Sequence, residues 1–459
     1  MTMVPSDSCS PEIGARIPEL PDRFGMISGR RVSHFPLPYP VLDHQNPPFS
    51  IGPETSKKAN KTSEYKVSDI IRAGGEKLLG TGKLSPEQAK AVFSIVHCRT
   101  QTYGYHAKVC NGCGYIEVAY NSCRNRHCPQ CQGISKKRWV SDRLSELLPV
   151  AYHHVVFTVP SYISKLSLYN QKIIYDLMFE AASQTLKSFG KDPKFLGAEI
   201  GFYGILHTWS QTLGPHIHIH FIVTAGGLTE DGKWKEPKYS KKFLFPVRAV
   251  SKVFRGKFIE GLKKRYYSDE ITIPESMAEL AEPEGFEKQL NKLVSASWRV
   301  HSKPPFSGPD EVVRYIGRYT HRIAISDRRI LSFQDGEVRF SYKDNKEKDP
   351  EKKYKEMSIS SEEFVRRFLY HILPHGYHRI RNYGFLSNGR KKQNIEIIKS
   401  QLESEKAPLH LEKEDGEDSG IPCPVCENGK MKTFLVVNGH GQLTEYKAIL
   451  LYGKYADTS

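Results

Sequence analysis

The chain has 459 residues, with 67 Lys and Arg against 51 Asp and Glu, for a formal charge of +16. This length supports two or three domains and excludes a minimal stapled scaffold, while the charge favours a polyanionic partner, nucleic acid first, over a small neutral substrate. No apolar run approaches the roughly 18 residues that span a bilayer, and the first residues lack the basic-then-apolar order of a secretory signal, so no membrane partner and a cytoplasmic, nucleoid-associated location are expected.

Residues 1–60 carry ten prolines and no sustained hydrophobic period, the pattern of a disordered lead-in. From Tyr65 the pattern turns helical. Ser85-Pro86-Glu87-Gln88 reads as a helix start, with Ser85 as cap, Pro86 in the first turn and Gln88 reaching back. That helix leads into Cys98, His106, Cys110, Cys113, Cys123, His127, Cys128 and Cys131. A two-residue gap lets one turn present two thiolates to one tetrahedral ion, so eight such ligands fit two Zn2+. Both shells are then filled by protein, which makes these ions structural. Arg124, Arg126, Lys136, Lys137 and Arg138 surround the second half and suit a grip on DNA phosphates, the plainer alternative being a solvated basic surface. A helix over 134–148, ended by Pro149, closes this 61–148 helical and zinc-binding DNA-binding domain.

The next domain, 149–345, opens with a strand over 154–159, an amphipathic stretch over 163–189 stopped by Gly190, and a strand over 201–208. A third strand follows over 216–223, then a basic helix over 247–264 and strands over 329–333 and 338–342. This order predicts an α+β or α/β sheet domain. In the third strand, alternation sends His216, His218 and His220 to one face and Ile217, Ile219 and Phe221 to the other. Three imidazoles at period two are a poor choice for packing a sheet and a good one for holding a cation. An ion held by two or three neutral histidines keeps open positions, as a Lewis acid on a scissile phosphate requires. His207, on the preceding strand, reads as a further ligand or as a group behind the ligands, with a purely structural role equally open.

Pro309 suits the first turn of a helix running through Glu311 to Arg322, in which Tyr315 and Tyr319 sit one turn apart on one face, beside Arg318 and Arg322. Such a pair is ordinary helix packing when taken alone. A tyrosine, with a free pKa near ~10, attacks phosphate when a metal polarises the phosphorus and cations absorb the developing charge, and the His strand supplies the first aid. A basic extension occupies 346–400, with Arg366, Arg367, Arg379 and Arg381 as candidate backbone contacts. Residues 403–418, with seven carboxylates against two lysines, read as a linker, and Cys423 and Cys426 lie in a tail that ends the 401–459 segment. Two thiols alone cannot fill a zinc site.

Three stretches together resemble the two-tyrosine HUH transposases of the insertion-sequence-91 family: 120–132 (YNSCRNRHCPQCQ), 216–227 (HIHIHFIVTAGG) and 315–326 (YIGRYTHRIAIS), with 364–369 and 379–385 extending the likeness over about 67–388. The resemblance implies an α+β fold, an HUH-endonuclease-like palm of antiparallel sheet flanked by helices, preceded by the helical, two-zinc module. It implies rolling-circle transposition through single-stranded DNA. It places the metal-binding pair on His218 and His220 with His216 as a further histidine, the paired nucleophiles on Tyr315 and Tyr319 through 5′-phosphotyrosine intermediates, and Mg2+ or Mn2+ as the catalytic ion. The partners implied are single-stranded DNA and the ends of the element, and a homo-oligomer is compatible with the pattern. Competing readings are an HUH replication initiator or relaxase, and a non-catalytic zinc DNA-binding regulator.

Overall fold

The computed structural model describes residues 64–446, apart from 132–138, 144–145, 238–243, 297, 304–305, 307–310, 313–323, 404–420 and 427. The lead-in over 1–60, residues 134–138 and 144–145 of the 134–148 helix (with Lys136, Lys137 and Arg138), the tyrosine segment with Tyr315, Arg318, Tyr319 and Arg322, and the acidic linker from 404 therefore lie outside the described residues.

The chain begins with α1 (Val67–Leu79) and α2 (Pro86–Val96). The start of α2 forms for the reason its sequence gives: Gln88 N–H donates to Ser85 Oγ and Ser85 N–H to Gln88 Oε1, so two otherwise unpaired donors are satisfied reciprocally. The strands β1 (Tyr105–Cys110) and β2 (Ile116–Tyr120) form a hairpin. After β3 (Tyr152–Thr158) the expected single amphipathic helix is two, α3 (Ser161–Leu166) and α4 (Gln171–Lys191). Asn170 breaks it. Its amide donates to the carbonyls of Leu166 and Thr272 and its Oδ1 accepts from Thr272 N–H, a tertiary tie that outweighs the helical period.

Then come β4 (Glu199–Trp209), β5 (Pro215–Leu228), β6 (Trp234–Lys235), α5 (Val247–Tyr267), α6 (Pro283–Ser295) and β7 (Arg299–Ser302). A small sheet of β8 (Ile330–Gln334), β9 (Glu337–Lys343) and β10 (Tyr354–Ser360) precedes α7 (Ser361–Leu369), β11 (Ile380–Tyr383) and α8 (Lys391–Glu403). Last come β12 (Ile421–Pro422), β13 (Lys430–Val437) and β14 (Leu443–Tyr446).

The main sheet is antiparallel, in the order β11-β4-β5-β3-β7 with β6 beside β5. The fold is therefore α+β. One face of this sheet presents Val155, Phe157, Leu206, Ile217, Ile219, Phe221 and Val223, which α4 and α5 cover through Ile174, Met178, Phe254 and Phe258. The other face is divided. Towards one end it packs Tyr152, Tyr203, Ile205 and Ile222 against Val312, Phe385 and Ile398, and towards the other it carries the histidines.

Two contacts cross the segments read from the sequence. The helices α1 and α2 share a core with Ala324, Ile325, Phe340, Phe364 and Phe368, so the amino-terminal helical pair packs with residues assigned to later segments. The tail is also no separate piece. The strand β13 pairs antiparallel with β1, from Tyr105 opposite Val437 to Cys110 opposite Met431, and joins it in one sheet ordered β12-β13-β1-β2.

Candidate metal centres

His218 and His220 alternate out of β5 as their spacing requires, and both belong to a group of three imidazoles whose ligand nitrogens lie within 4.8 Å of one another. The third member is His207 of β4, directly opposite His218 in the strand register. His216, expected as the third, falls outside this group. The reason is spacing along the strand: at ~3.3 Å per residue His216 and His220 stand roughly 13 Å apart along the backbone, whereas a cross-strand neighbour is ~5 Å away. The ring centroid of His207 is 4.5 Å from that of His220 and 5.2 Å from that of His218.

The neighbours of the group fix which nitrogens face an ion. His218 Nδ1 donates to the carbonyl of His216 at 3.0 Å, which leaves Nε2 as the ligand atom. His220 Nδ1 pairs with His154 Nε2 at 2.8 Å, the two rings stacked at 5.0 Å and 3° apart. Trp209 stacks on His207 with centroids 4.7 Å apart. His154 is a site residue that the sequence reading passed over. Burial holds His218 well below the ordinary imidazole range, and burial with the neighbouring His154 pushes His220 down to about 3. His154 itself is at about 3, by burial and then the charge of Lys303. The neutral imidazole, the form that ligates an ion, is therefore the stable form of His154, His218 and His220 at physiological pH.

The cysteines divide differently from the expected eight ligands. Cys98, Cys123, Cys128 and Cys131 form one group, and Cys110 and Cys113 join Cys423 and Cys426 in a second. His106 and His127 belong to neither. His106 Nδ1 donates to Asn121 Oδ1 at 2.9 Å, and His127 Nε2 accepts from Arg126 Nε at 3.2 Å. A ligand count confined to one stretch of sequence takes in histidines where strand pairing brings thiols from more than 300 positions away. In the first group Sγ distances of 3.4 Å (Cys98 to Cys131) and 3.5 Å (Cys123 to Cys131) approach the ~3.8 Å edge of a tetrahedral zinc–thiolate centre and exceed the ~2.05 Å of a disulfide. Hydrogen bonding with Cys123 and Cys128 pulls Cys131 down, and hydrogen bonding with Cys123, Cys131 and Cys98 pushes Cys128 up: four thiols sharing protons where an ion would replace them.

Several expected DNA contacts are engaged within the protein. Arg126 donates to the carbonyls of Tyr377 (2.6 Å) and Pro374 (2.9 Å). Arg366 and Arg367 both pair with Glu363, and Arg381 pairs with Asp176. Burial of Arg379 lowers its pKa to about 10. Arg124 is exposed, with φ of +52°.

Residues 70–159 match the family model described as "Transposase zinc-binding domain", and residues 201–394 match one described as "Putative transposase". A protein named "Putative transposase y4qJ", from Sinorhizobium fredii (strain NBRC 101917 / NGR234), is 40% identical over 385 residues, covering 81% of this chain and 96% of the relative. The chain belongs to the insertion-sequence-91 family of transposases. A second relative, the transposase for insertion sequence element IS801 of Pseudomonas savastanoi pv. phaseolicola, is 27% identical over 316 residues, 68% of this transposase and 73% of that one. Among solved structures, the conjugative relaxase TrwC in complex with oriT DNA aligns with 37% of this chain and 70% of its own at 17% identity, with a TM-score of 0.21. The cysteine groups lie in or beside the matched zinc-binding domain, and the His centre spans the start of the other match. Among the described residues no helix is long and apolar enough to cross a membrane.

Proposed function

We propose that this transposase cleaves and rejoins single-stranded DNA at the ends of its element, in rolling-circle transposition, with Tyr315 and Tyr319 as nucleophiles and a divalent ion held by His207, His218 and His220. The observation that carries the proposal is the three-imidazole group on an otherwise packed sheet face. The residues that bracket the tyrosine segment support it. Val312, 1% exposed, packs with Ile205 and Ile222 on that same face, and Ala324 and Ile325 pack with Leu213 and Trp209, the residue stacked on His207. Tyr315 follows Val312 by three residues and Tyr319 precedes Ala324 by five.

The donor set fits a divalent ion with open positions, and because it is all nitrogen, Mg2+ and Mn2+ need phosphate oxygens to complete the shell. Bound there, the ion would polarise the scissile phosphate. A tyrosine oxygen, losing its proton, attacks phosphorus; the bond to the 3′ oxygen breaks, and that oxygen leaves as a 3′-OH once protonated. The products are a 5′-phosphotyrosine and a free 3′ end. Rejoining reverses the step, with a 3′-OH as attacker, and the number of phosphodiester bonds is conserved. His154 holds the ring of His220, and His216 holds that of His218 through its carbonyl.

The test is incubation of the purified transposase with labelled single-stranded ends of its own element and Mg2+ or Mn2+, followed by denaturing gels. A covalent adduct is expected, absent from the Tyr315→Phe/Tyr319→Phe double variant and from His218→Ala. Binding without an adduct under either metal would leave a non-catalytic regulator.

A further inference from the structure

The two family matches end at residues 159 and 394, so neither reaches Cys423 or Cys426. We propose that Cys110, Cys113, Cys423 and Cys426 form a second, four-thiolate zinc site that clasps the 421–446 ribbon onto the amino-terminal hairpin.

Geometry is the first support. Sγ of Cys110 lies 3.5 Å from that of Cys426, and Sγ of Cys113 lies 3.7 Å from that of Cys423, the edge lengths of a metal tetrahedron and too long for either pair to be a disulfide. The two halves are built alike. The N–H groups of Gly112 and Cys113 donate to Cys110 Sγ, and those of Val425 and Cys426 donate to Cys423 Sγ, so each knuckle turns its amides onto its first sulfur as a thiolate ligand requires. Gly429 closes over the centre: a Cβ there would stand 2.2 Å from Cys110 Sγ and 2.8 Å from Cys426 Sγ.

Energetics is the second support. The buried apolar cluster at this end of the ribbon consists of Cys110, Cys423 and Met431, with Cys426 packed against it, a small core to hold the ribbon's end in place. Strand pairing between β1 and β13 runs from Tyr105 opposite Val437 to Cys110 opposite Met431, and the three bonds from the Asn121 amide to the carbonyls of Tyr103, Tyr105 and Val437 add to it at the far end. At the cysteine end an ion supplies what the core lacks, as it does in small metal-folded modules.

The full-length chain, zinc-replete, is alkylated under native conditions with and without a zinc chelator, and the labelled cysteines are mapped by peptide mass. Cys423 and Cys426 are expected to be protected together with Cys110 and Cys113 and to become reactive together with the chelator. In Cys423→Ser/Cys426→Ser, zinc content by mass spectrometry should fall by one ion per chain and Cys110 and Cys113 should become reactive, while Cys98, Cys123, Cys128 and Cys131 stay protected and report an intact fold. The proposal is overturned if Cys423 and Cys426 of the wild-type chain react as free thiols while Cys110 and Cys113 are protected, or if the double variant keeps the wild-type zinc content. Neither result touches the His centre.

Discussion

Truncating His154 to alanine removes a group that touches no ion and yet sets the orientation of one that would. Its Nε2 lies 2.8 Å from His220 Nδ1 and its ring stacks on that of His220. Without it His220 keeps its place in β5 but loses both the partner for Nδ1 and the ring that stops it rotating. Outer-shell partners of this kind are worth about 10- to 100-fold in metal affinity, or about 1.4–2.7 kcal/mol. The His154 side chain is 1% exposed, so the variant also leaves a cavity, and thermal melting must show that it folds. Mn2+ binding is then measured by calorimetry, alongside adduct formation across a Mn2+ titration. The expected outcome is a shift of that titration by the stated factor, with adduct recovered at high Mn2+, and partial restoration in His154→Gln, which offers a polar group again. A folded His154→Ala with wild-type Mn2+ affinity would refute the positioning role.

Three further outcomes are expected. His207→Ala should abolish Mn2+ binding at the centre, whereas His216→Ala, which keeps the backbone carbonyl that holds His218, should weaken it by less than about tenfold; the reverse ranking would return His216 to the ligand set. In the metal-free chain, burial holds His154 and His220 at about 3 and His371 at about 4, against ~6.5 unfolded. The unfolded state thus takes up protons first, and stability present above pH ~6.5 should be lost as pH falls towards those values, by roughly 1.4 kcal/mol per pH unit for each group; urea midpoints that stay level between about pH 7 and pH 5 would contradict this. Gly429→Ala should speed zinc release from the Cys110 group and lower the melting temperature, whereas Gly256→Ala, in α5 with nothing within 4 Å of the added Cβ, should be neutral or stabilising by up to about 1 kcal/mol.

What was legible in the sequence was whatever a strand or helix decides locally. The period-two run from His216 to Phe221 announced a strand with one imidazole face, and Ser85 with Gln88 announced a helix start, because both signals sit within a few residues of the atoms they describe. Pairing between elements was less legible. His207 belongs to the centre because β4 and β5 are consecutive antiparallel strands, and counting back from the turn at 210–214 would have put it opposite 217–218. The second cysteine group had only a matching spacing to announce it, Cys110-x2-Cys113 and Cys423-Pro-Val-Cys426, and the histidines between Cys98 and Cys131 filled the count without the tail. His154 had no signal: nothing about a histidine at the start of a β-branched run says that its ring will stack on one 66 positions later.

The turn between β4 and β5 is tied to elements outside the main sheet. Three successive carbonyls of this turn are held by side chains from outside the main sheet: that of Gln211 by Arg329, that of Thr212 by Arg367 at 2.9 Å, and that of Leu213 by His371 Nε2 at 2.9 Å. His371 also accepts, at Nδ1, the hydroxyl of Thr208, the residue beside His207. Leu213, at φ of +64° and fully buried, lies in one core with Cys98, Cys128, Ala324, Ile325 and Phe364. Two of the thiols that would hold the first zinc and the residues just beyond the tyrosine segment therefore share a core with Leu213 of this turn. A loop anchored only by its own strands would leave that pair free to shear. Here residues of the zinc-binding domain, the small sheet and α7 tie it from the far side, so under the proposed function the domain would contribute the register of two histidines.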